Sequence, residues 1–401
     1  MTAPAAAPPQ AAAGNGNGKP VMLRPFKIGV QDIDDEPYDI SVTLSASTQT
    51  LTPQYEIPST GFLNGTYILV ENVVTGSTAT ATSTSTGVGV LNENAPYNVI
   101  DSLIFTDTNN SEIIGPVDGW DVYVISKWGG YCFQDDPEVN VDLFTSSSNA
   151  TASSSAAGSF SFCLRLPVEL VPRDALGSLP NKSSSTPFKI KVQVAALATI
   201  YANTATVGGV CRFRMFPDSY WEPTKTDGSG NQIAPNPPAV NTTQYWNKTP
   251  YQQTGGAAMS ELLTNSTGFP VRNLIFALSA ATGGRVTGEA NFPDNFRLQL
   301  QSNIMLDRPK KLWKRKITEA YGYLAAGDAA GQKDNGVYAH PYCKDFWPKP
   351  GWENRRSYLR TTDGMRLQMK GTLGGSGAHT IIVYTNYVGI GQGSSLAAVT
   401  T

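Results

Sequence analysis

Residues 295–324 have the sequence NFRLQLQSNIMLDRPKKLWKRKITEAYGYL, which passes from strand patterns into the one clear helix pattern of the chain. Over residues 295–306, apolar and polar residues alternate as they do in half-buried strands. Further on, the apolar residues recur at helical spacing and form one stripe: Trp313, Ile317, Ala320, Tyr321 and Leu324. We therefore predict a helix over residues 309–324, inserted between strands.

The residues that flank this stripe favour the same helix. Asp307 can cap its first turn, because an aspartate side chain accepts hydrogen bonds from the first backbone N–H groups of a helix. Pro309 suits the first turn, and Gly322 lies where the helix can end.

Short strand patterns occupy much of the remaining chain. At residues 120–126, for example, Trp120, Val122 and Val124 alternate with Asp121, Tyr123 and Ile125. The predicted strands are residues 40–44, 67–74, 98–107, 120–126, 160–168, 188–197, 211–216, 271–280, 295–306, 364–373 and 379–390. A short helical turn is predicted at Asp174 and Leu176. Many short strands separated by turn residues favour an all-β sandwich architecture.

The strand patterns divide the chain into two similar halves. We predict a flexible N-terminal arm over residues 1–25, because this Ala/Pro/Gly-rich tract has few residues to bury. A first β domain covers residues 26–222, and a Pro/Asn/Gly-rich connection covers residues 223–262. The second β domain covers residues 263–391 and contains the helix. A flexible tail follows at residues 392–401.

Composition narrows the range of functions. Only 15% of the residues are charged and the formal net charge is −2, which argues against binding nucleic acid by bulk electrostatics. The N-terminal sequence lacks the pattern of a secretory signal, and no apolar run reaches the ~18 residues of a membrane span. We therefore expect synthesis in the cytoplasm. The thiols of Cys132, Cys163, Cys211 and Cys343 are expected to remain reduced there.

Candidate chemical sites are weak. His340 and Cys343 resemble half of a metal site, but no second ligand pair accompanies them. The acidic segment with Asp32, Asp34, Asp35 and Glu36 lacks the features of a calcium loop. The glycines at 389–393 precede no helix that would bind phosphate. No G-x-S-x-G motif is present. The expectation is a protein without catalytic residues, cofactor or bound metal.

The order of several segments resembles the major capsid protein of tectiviruses, phages with an internal membrane. In the first half the resemblance rests on GTYILVENVVTG (65–76), YNVIDSLIFTDTNN (97–110) followed by Gly119 and Trp120, FCLRLPVELVPRDALGSLPN (162–181) and FKIKVQV (188–194). In the second half it rests on LDRPKKLWKRKITEAYG (306–322), GVYAHPYC (336–343) and HTIIVYTNYVG (379–389). The chain departs from the family in its Ser/Thr-rich loops, its Pro-rich connection and residues 345–352.

This resemblance implies an all-β fold of two tandem eight-stranded jelly rolls, a double jelly-roll, with short flanking helices. It also implies a homotrimer that serves as a pseudo-hexameric capsomer of an icosahedral virion shell. The implied partners are neighbouring capsomers, penton and minor capsid proteins and, peripherally, an internal viral membrane, with no specific nucleic acid.

Two alternatives stay open on the sequence. A virion spike or receptor-binding protein would also be rich in strands and polar loops, and its lower copy number in particles would distinguish it. A secreted carbohydrate-active enzyme with two β-sandwich domains could use tryptophans as sugar platforms, and hydrolysis of glycans would reveal it.

The predicted helix begins with a cluster of cations, which we call the basic patch: Arg308, Lys310, Lys311, Lys314, Arg315 and Lys316. Cations at this end oppose the helix dipole, so local helix stability does not explain them. One interpretation is a solvated face. The other is an assembly surface that meets either the acidic segment of a neighbouring subunit or lipid head groups.

Overall fold

A computed structural model describes most of the chain. The residues that it describes are 22–26, 32–34, 37–73, 90–132, 144–146, 158–171, 175–202, 209–221, 233–236, 242–263, 268–280, 284–286, 289–322, 333–343, 357–362 and 364–390.

These residues form strands and three α-helices. The strands are β1 Met22–Pro25, β2 Asp32–Asp34, β3 Tyr38–Thr43, β4 Gln49–Thr50, β5 Tyr55–Glu56, β6 Phe62–Val73, β7 Ile100–Thr106, β8 Glu112–Val117, β9 Phe144–Ser146, β10 Phe160–Pro167, β11 Leu179–Pro180, β12 Lys189–Val194, β13 Val210–Tyr220, β14 Ile233–Asn236, β15 Thr242–Thr254, β16 Ala258–Leu262, β17 Val271–Ala280, β18 Phe296–Leu300, β19 Asn303–Arg308, β20 Val337–Pro341, β21 Leu367–Thr372 and β22 Ala378–Ile390. The helices are α1 Gly119–Trp128, α2 Leu197–Ile200 and α3 Lys310–Tyr321.

The first roll consists of two sheets. One has the strand order β3-β13-β6-β10, with β2, β9 and β11 as additions, and the other has the order β8-β7-β12, continued by β4 and β5. The rings of Tyr38 in the first sheet and Tyr55 in the second lie 5.1 Å apart, so the sheets share a core.

The second roll repeats this topology. Its sheets have the orders β15-β22-β17-β20 and β16-β21-β18-β19. Each roll has eight positions in chain order when the additions β2, β9 and β11 are left out and β4 and β5 are counted as one strand. The first, eighth, third and sixth strands form one sheet of each roll, and the second, seventh, fourth and fifth form the other. A helix stands between the fifth and sixth strands each time, α1 in the first roll and α3 in the second. The prediction of an all-β double jelly-roll with short helices is thus confirmed.

The two rolls are joined through a shared sheet. Strand β8 of the first roll lies parallel to β15 of the second, with Ile114 opposite Trp246. Strand β15 also pairs along its whole length with β22. One sheet therefore runs from the first roll into the second.

The predicted strand at residues 120–126 is wrong, because these residues lie in helix α1. Every residue of α1 is buried, so the helix has no polar face that would reveal a helical period. The β-branched residues Val122, Val124 and Ile125 favour a strand locally, but burial from several sides overrides that preference.

The predicted connection over residues 223–262 is wrong where three strands form, β14 Ile233–Asn236, β15 Thr242–Thr254 and β16 Ala258–Leu262. The polar sequence of β15 concealed it, because its buried Gln244 satisfies its amide through hydrogen bonds rather than apolar packing. The predicted arm is likewise wrong for residues 22–25, which form β1 and pair in parallel with β14. Residues 1–21 and the predicted tail at 392–401 lie outside the described residues.

Helix α3 agrees with the prediction in position and differs at its ends. It spans Lys310–Tyr321, and Gly322 ends it in a left-handed conformation with a φ of 75°. Asp307 is not its cap, since that carboxylate bonds to Arg297. Asp294 instead accepts a hydrogen bond of 3.0 Å from the backbone N–H of Lys310. The predicted turn at Leu176 is an antiparallel bridge with Val171, and Asp174 lies outside the described residues.

Candidate assembly interface

Helices α1 and α3 occupy equivalent places in the two rolls but have different surroundings. Each follows the fifth strand of its roll after one intervening residue, Asp118 or Pro309. All residues of α1 are buried, whereas α3 buries only Trp313, Ile317 and Tyr321. The difference arises because the second roll covers α1.

A capping box fixes the start of α1. The Asp118 side chain accepts a hydrogen bond from the backbone N–H of Asp121, and the Asp121 carboxylate accepts one from the backbone N–H of Asp118, each at 2.8 Å. This reciprocal pair satisfies backbone donors that a helix start leaves without intrahelical partners. It also holds the Asp121 carboxylate at the boundary between the rolls.

Asp121 is the centre of a charged cluster at this boundary. Its Oδ2 lies 2.5 Å from Nζ of Lys248 in β15. Its Oδ1 accepts a hydrogen bond from the hydroxyl of Tyr384 in β22. A helix of the first roll is thereby bonded to two strands of the second, and the buried carboxylate is compensated by a cation and a hydroxyl.

The same cluster changes the acidity of its members. Burial and the neighbouring Asp121 carboxylate raise the pKa of Asp118 to about 7, against the attraction of Lys248. Burial lowers the pKa of Lys248, but Asp121 and Asp118 outweigh burial, so the net shift is upward. Lys248 is therefore positively charged at neutral pH and can bridge the two carboxyl groups.

Further polar contacts tie the C-terminal half of α1 to the second roll. Nζ of Lys127 lies 2.7 Å from Oδ2 of Asp334, and both side chains are almost fully buried. The Asn273 side chain donates a hydrogen bond of 2.6 Å to the Trp128 carbonyl. Arg272 donates one of 2.9 Å to the carbonyl of Gly129, the residue that ends α1. We call this set of contacts around α1 the inter-roll seam.

The basic patch is not uniform. Arg308, Lys310 and Lys314 are half-buried, and Lys314 places its ammonium 5.2 Å from the centre of the Tyr338 ring. Lys311, Arg315 and Lys316 are exposed. Arg315 and Lys316 both contact Glu319 on the same helix, at 3.2 and 2.7 Å.

Exposed apolar side chains accompany the patch. Leu312 on α3 is 45% exposed, and Ile304 and Met305 on β19 are 56% and 39% exposed. Strand β19 is the edge of its sheet, so its outer edge has no neighbouring strand among the described residues. Apolar side chains grouped beside an open strand edge are typical of a surface that binds a partner.

The candidate chemical sites gain no ligand set from the structure. His340 lies in β20, and burial followed by the charge of Arg308 lowers the pKa of its imidazole to about 3. Among the described residues, no group of three or more His, Cys, Asp and Glu residues comes together. Asp32 and Asp34 of the acidic segment lie in β2, and Gly389, the first of the glycines considered for phosphate binding, lies in β22. Asp35, Glu36 and residues 391–393 lie outside the described residues.

Two other features of the described residues concern disulfide bonds and the length of the helices. The four cysteines, all of which the structure describes, are not joined in disulfides. None of the helices that the structure describes is long and apolar enough to cross a membrane.

The basic patch was predictable from the sequence, whereas the inter-roll seam was not predicted. The available signal was the pair Asp118 and Asp121, whose spacing is that of a capping box. Lys248 and Asp334 had no local signal, because their roles depend on contacts with residues far away in the chain.

The strand order and the position of the helices are those of a double jelly-roll protein, and solved structures share this fold. The crystal structure of the STIV major capsid protein matches with a TM-score of 0.53 and 10% identity, over 89% of this chain and 96% of that chain. A chain in the atomic structure of Sulfolobus turreted icosahedral virus matches with a TM-score of 0.52 and 9% identity, over 87% of this chain and 90% of that chain.

A third match, the major capsid protein of bacteriophage PM2, has a TM-score of 0.49 and 9% identity, over 89% of this chain and 100% of that chain. The fold assignment rests on the two higher scores. No protein-family model and no curated protein matches the chain.

Proposed function

We propose that this chain is a major capsid protein, a non-catalytic structural subunit of an icosahedral virion shell. The observation that carries the proposal is the repeated jelly-roll topology, with a helix after the fifth strand of each roll. Two solved structures from virus shells support the proposal, because they match this chain with TM-scores of 0.53 and 0.52 over 96% and 90% of their own length.

The proposed assembly unit is a homotrimer. Three copies of a two-roll chain provide six similar rolls, which can form a pseudo-hexagonal tile from a closed threefold ring. The proposed partners of this tile are neighbouring capsomers, penton and minor capsid proteins, with the internal membrane beneath them. The exposed apolar residues beside β19 support contact with another macromolecule.

The proposal can be tested on the full chain and on particles. Light scattering of the purified chain at micromolar concentration should give the mass of a trimer, and a stable monomer would contradict the proposed unit. In purified particles the chain should be the most abundant protein on a gel. A copy number far below that of another particle protein would instead indicate a spike.

A further inference from the structure

We infer that the folded chain forms an amide bond between two of its own side chains, the Lys248 amine and the Asp121 carboxyl group, with loss of one water molecule. The bond joins helix α1 of the first roll covalently to strand β15 of the second. It is a self-modification that requires no neighbouring subunit, so it goes beyond the proposed function and is tested independently of it.

The fold holds the two reacting groups in contact. Nζ of Lys248 lies 2.5 Å from Oδ2 of Asp121, so the carboxyl carbon is one covalent bond beyond the contact atom. The two positions are fixed independently, because β15 pairs along its length with β22 and the capping box fixes the first turn of α1. Groups held in place for attack react much faster than free ones, since no further translational or rotational entropy is lost.

Water is largely excluded from the reacting carboxyl group. The Asp121 side chain is 1% exposed and that of Lys248 is 24% exposed. A buried ion pair bears the cost of removing two charges from water, and condensation to a neutral amide eliminates both charges. The pair of Lys316 and Glu319 has a similar contact of 2.7 Å, but its side chains are exposed and its charges stay solvated. Burial therefore favours the amide at the first pair and not at the second.

The resting Lys248 side chain is an ammonium group, which is not a nucleophile. An acceptor for its proton is already in place, because the ammonium donates a hydrogen bond to Oδ2 of Asp121. Transfer of one proton along this contact gives a neutral amine and a neutral carboxylic acid. Burial disfavours charged forms, so this neutral pair lies closer in free energy to the ion pair than it does in water. Its amine has the lone pair that attack requires.

Two neighbouring side chains supply the other groups that the reaction needs. The hydroxyl of Tyr384 donates a hydrogen bond to Oδ1 of Asp121, the oxygen on which negative charge develops when the amine adds to the carboxyl carbon. Oδ2 of Asp118 lies 3.5 Å from Nζ of Lys248. Burial and the Asp121 carboxylate raise the pKa of Asp118 to about 7, so its carboxyl group both accepts and donates protons near neutral pH.

The reaction balances without an oxidant, a reductant or a second reactant. The nitrogen lone pair forms the C–N bond, and the π electrons of the carboxyl C=O move onto Oδ1 of Asp121. Asp118 takes a proton from the nitrogen and passes one to the hydroxyl at Oδ2 of Asp121, which leaves as water while the C=O bond re-forms. One ammonium and one carboxylate thus become one amide and one water, and Asp118 returns to its initial state.

The first experiment follows the intact mass of the full chain. The time course begins with chain taken from inclusion bodies in denaturant, where the two groups are apart, and refolding at pH 7 starts the reaction. The mass of the sequence should give way to a mass lower by one water molecule. On a denaturing gel the product should migrate ahead of the starting chain, because the bond closes residues 121–248 into a loop. A folded chain that keeps its full mass overturns the inference.

The position of the bond is determined by proteolysis and tandem mass spectrometry. The linked peptides should contain Lys248 and Asp121, while Lys316 and Glu319 should stay unlinked. A succinimide also lacks one water, but mild alkali opens it, whereas the amide survives. Water loss that maps to any other position contradicts the assignment.

A second experiment removes the nucleophile. Lys248→Arg keeps a cation beside Asp121 but lacks the amine, so the folded variant should retain the full mass of its sequence. Lys191→Arg, on the exposed face of β12, is the matched control and should lose water at the rate of the wild type. Circular dichroism establishes that both variants fold. A folded Lys248→Arg chain that loses water as the wild type does would refute the role of Lys248.

A third experiment tests the proton transfer. Asp118→Asn keeps an oxygen that can cap the backbone N–H of Asp121, but its amide neither accepts nor releases protons. The rate of water loss should therefore fall at least about tenfold. An unchanged rate in the folded variant would rule out Asp118 as the proton carrier.

Discussion

Helices α1 and α3 follow the same strand in two rolls of the same topology, yet their sequences have diverged according to what covers them. Helix α1 has apolar residues around most of its circumference and uses its few charges in pairs with the second roll. Helix α3 has one apolar stripe, and most of its remaining surface is charged, apart from the exposed Leu312. A helix therefore forms at this position in both rolls, and the composition of each helix follows from the residues that cover it.

The largest expected effect comes from exchanging residues between equivalent positions. Val124 of α1 is fully buried, and its counterpart Arg315 of α3 is exposed. Val124→Arg should lower the free energy of unfolding by more than about 4 kcal/mol, because it buries an unpaired charge. Arg315→Val should change that free energy by less than about 0.5 kcal/mol. Urea denaturation measures both, and similar losses in the two variants would contradict the comparison.

A smaller effect is expected at the buried pair of Lys127 and Asp334. Lys127→Ala leaves the Asp334 carboxylate buried without this cation, which should lower the free energy of unfolding by about 3–5 kcal/mol. The double variant Lys127→Met/Asp334→Leu should recover most of the loss, because it removes both charges and retains volume. A double variant as unstable as Lys127→Ala would indicate that packing, rather than charge, dominates the seam.

The smallest expected effect concerns pH. The pKa of Asp118 is about 7 in the folded chain and about 4 in an unfolded one, so between these values the folded state binds the extra proton. Its contribution to stability is therefore complete below about pH 4 and is lost as the pH rises through 7. Asp118→Asn keeps a capping oxygen and removes this titration.

The Asn variant should therefore gain stability relative to the wild type as the pH rises from 4.5 to 7.5. The gain should stay below about 1 kcal/mol, because a third of the Asp118 side chain is exposed. Denaturation curves at both pH values test this, and equal changes in the two proteins would be the contrary result.

The sequence was informative where local pattern and tertiary environment agree. Residues 271–280 form the predicted strand, because the apolar run at 274–278 suits a strand that is buried on both faces. Helix α3 was predictable because one apolar stripe contrasts with a polar surface. The stripe begins at Trp313, which packs among the rings of Phe276, Phe296 and Tyr338.

The failures occur where long-range contacts decide the structure. Strand β15 looks like a polar loop, yet β22 pairs with it along its length and Tyr131 bonds to its buried Gln244. The basic patch was visible as a run of cations. The contact of the half-buried Lys314 with the Tyr338 ring was not visible, because only the folded chain brings that ring near.

The complete burial of α1 has a consequence for the order of events during translation. All strands of the first roll, up to β13, have been synthesised once Tyr220 has been added, but Lys248, Asp334 and Tyr384, which compensate the charges of α1, come later. At ribosomal rates of about 5–20 residues per second, Lys248 follows Tyr220 within about 1–6 seconds, whereas Tyr384 follows it only after roughly 8–33 seconds. During that interval the nascent first roll holds the charges of Asp121 and Lys127, and the indole of Trp120, without their eventual partners. We therefore expect the helix that joins the finished rolls to be a segment that a chaperone binds while the chain emerges.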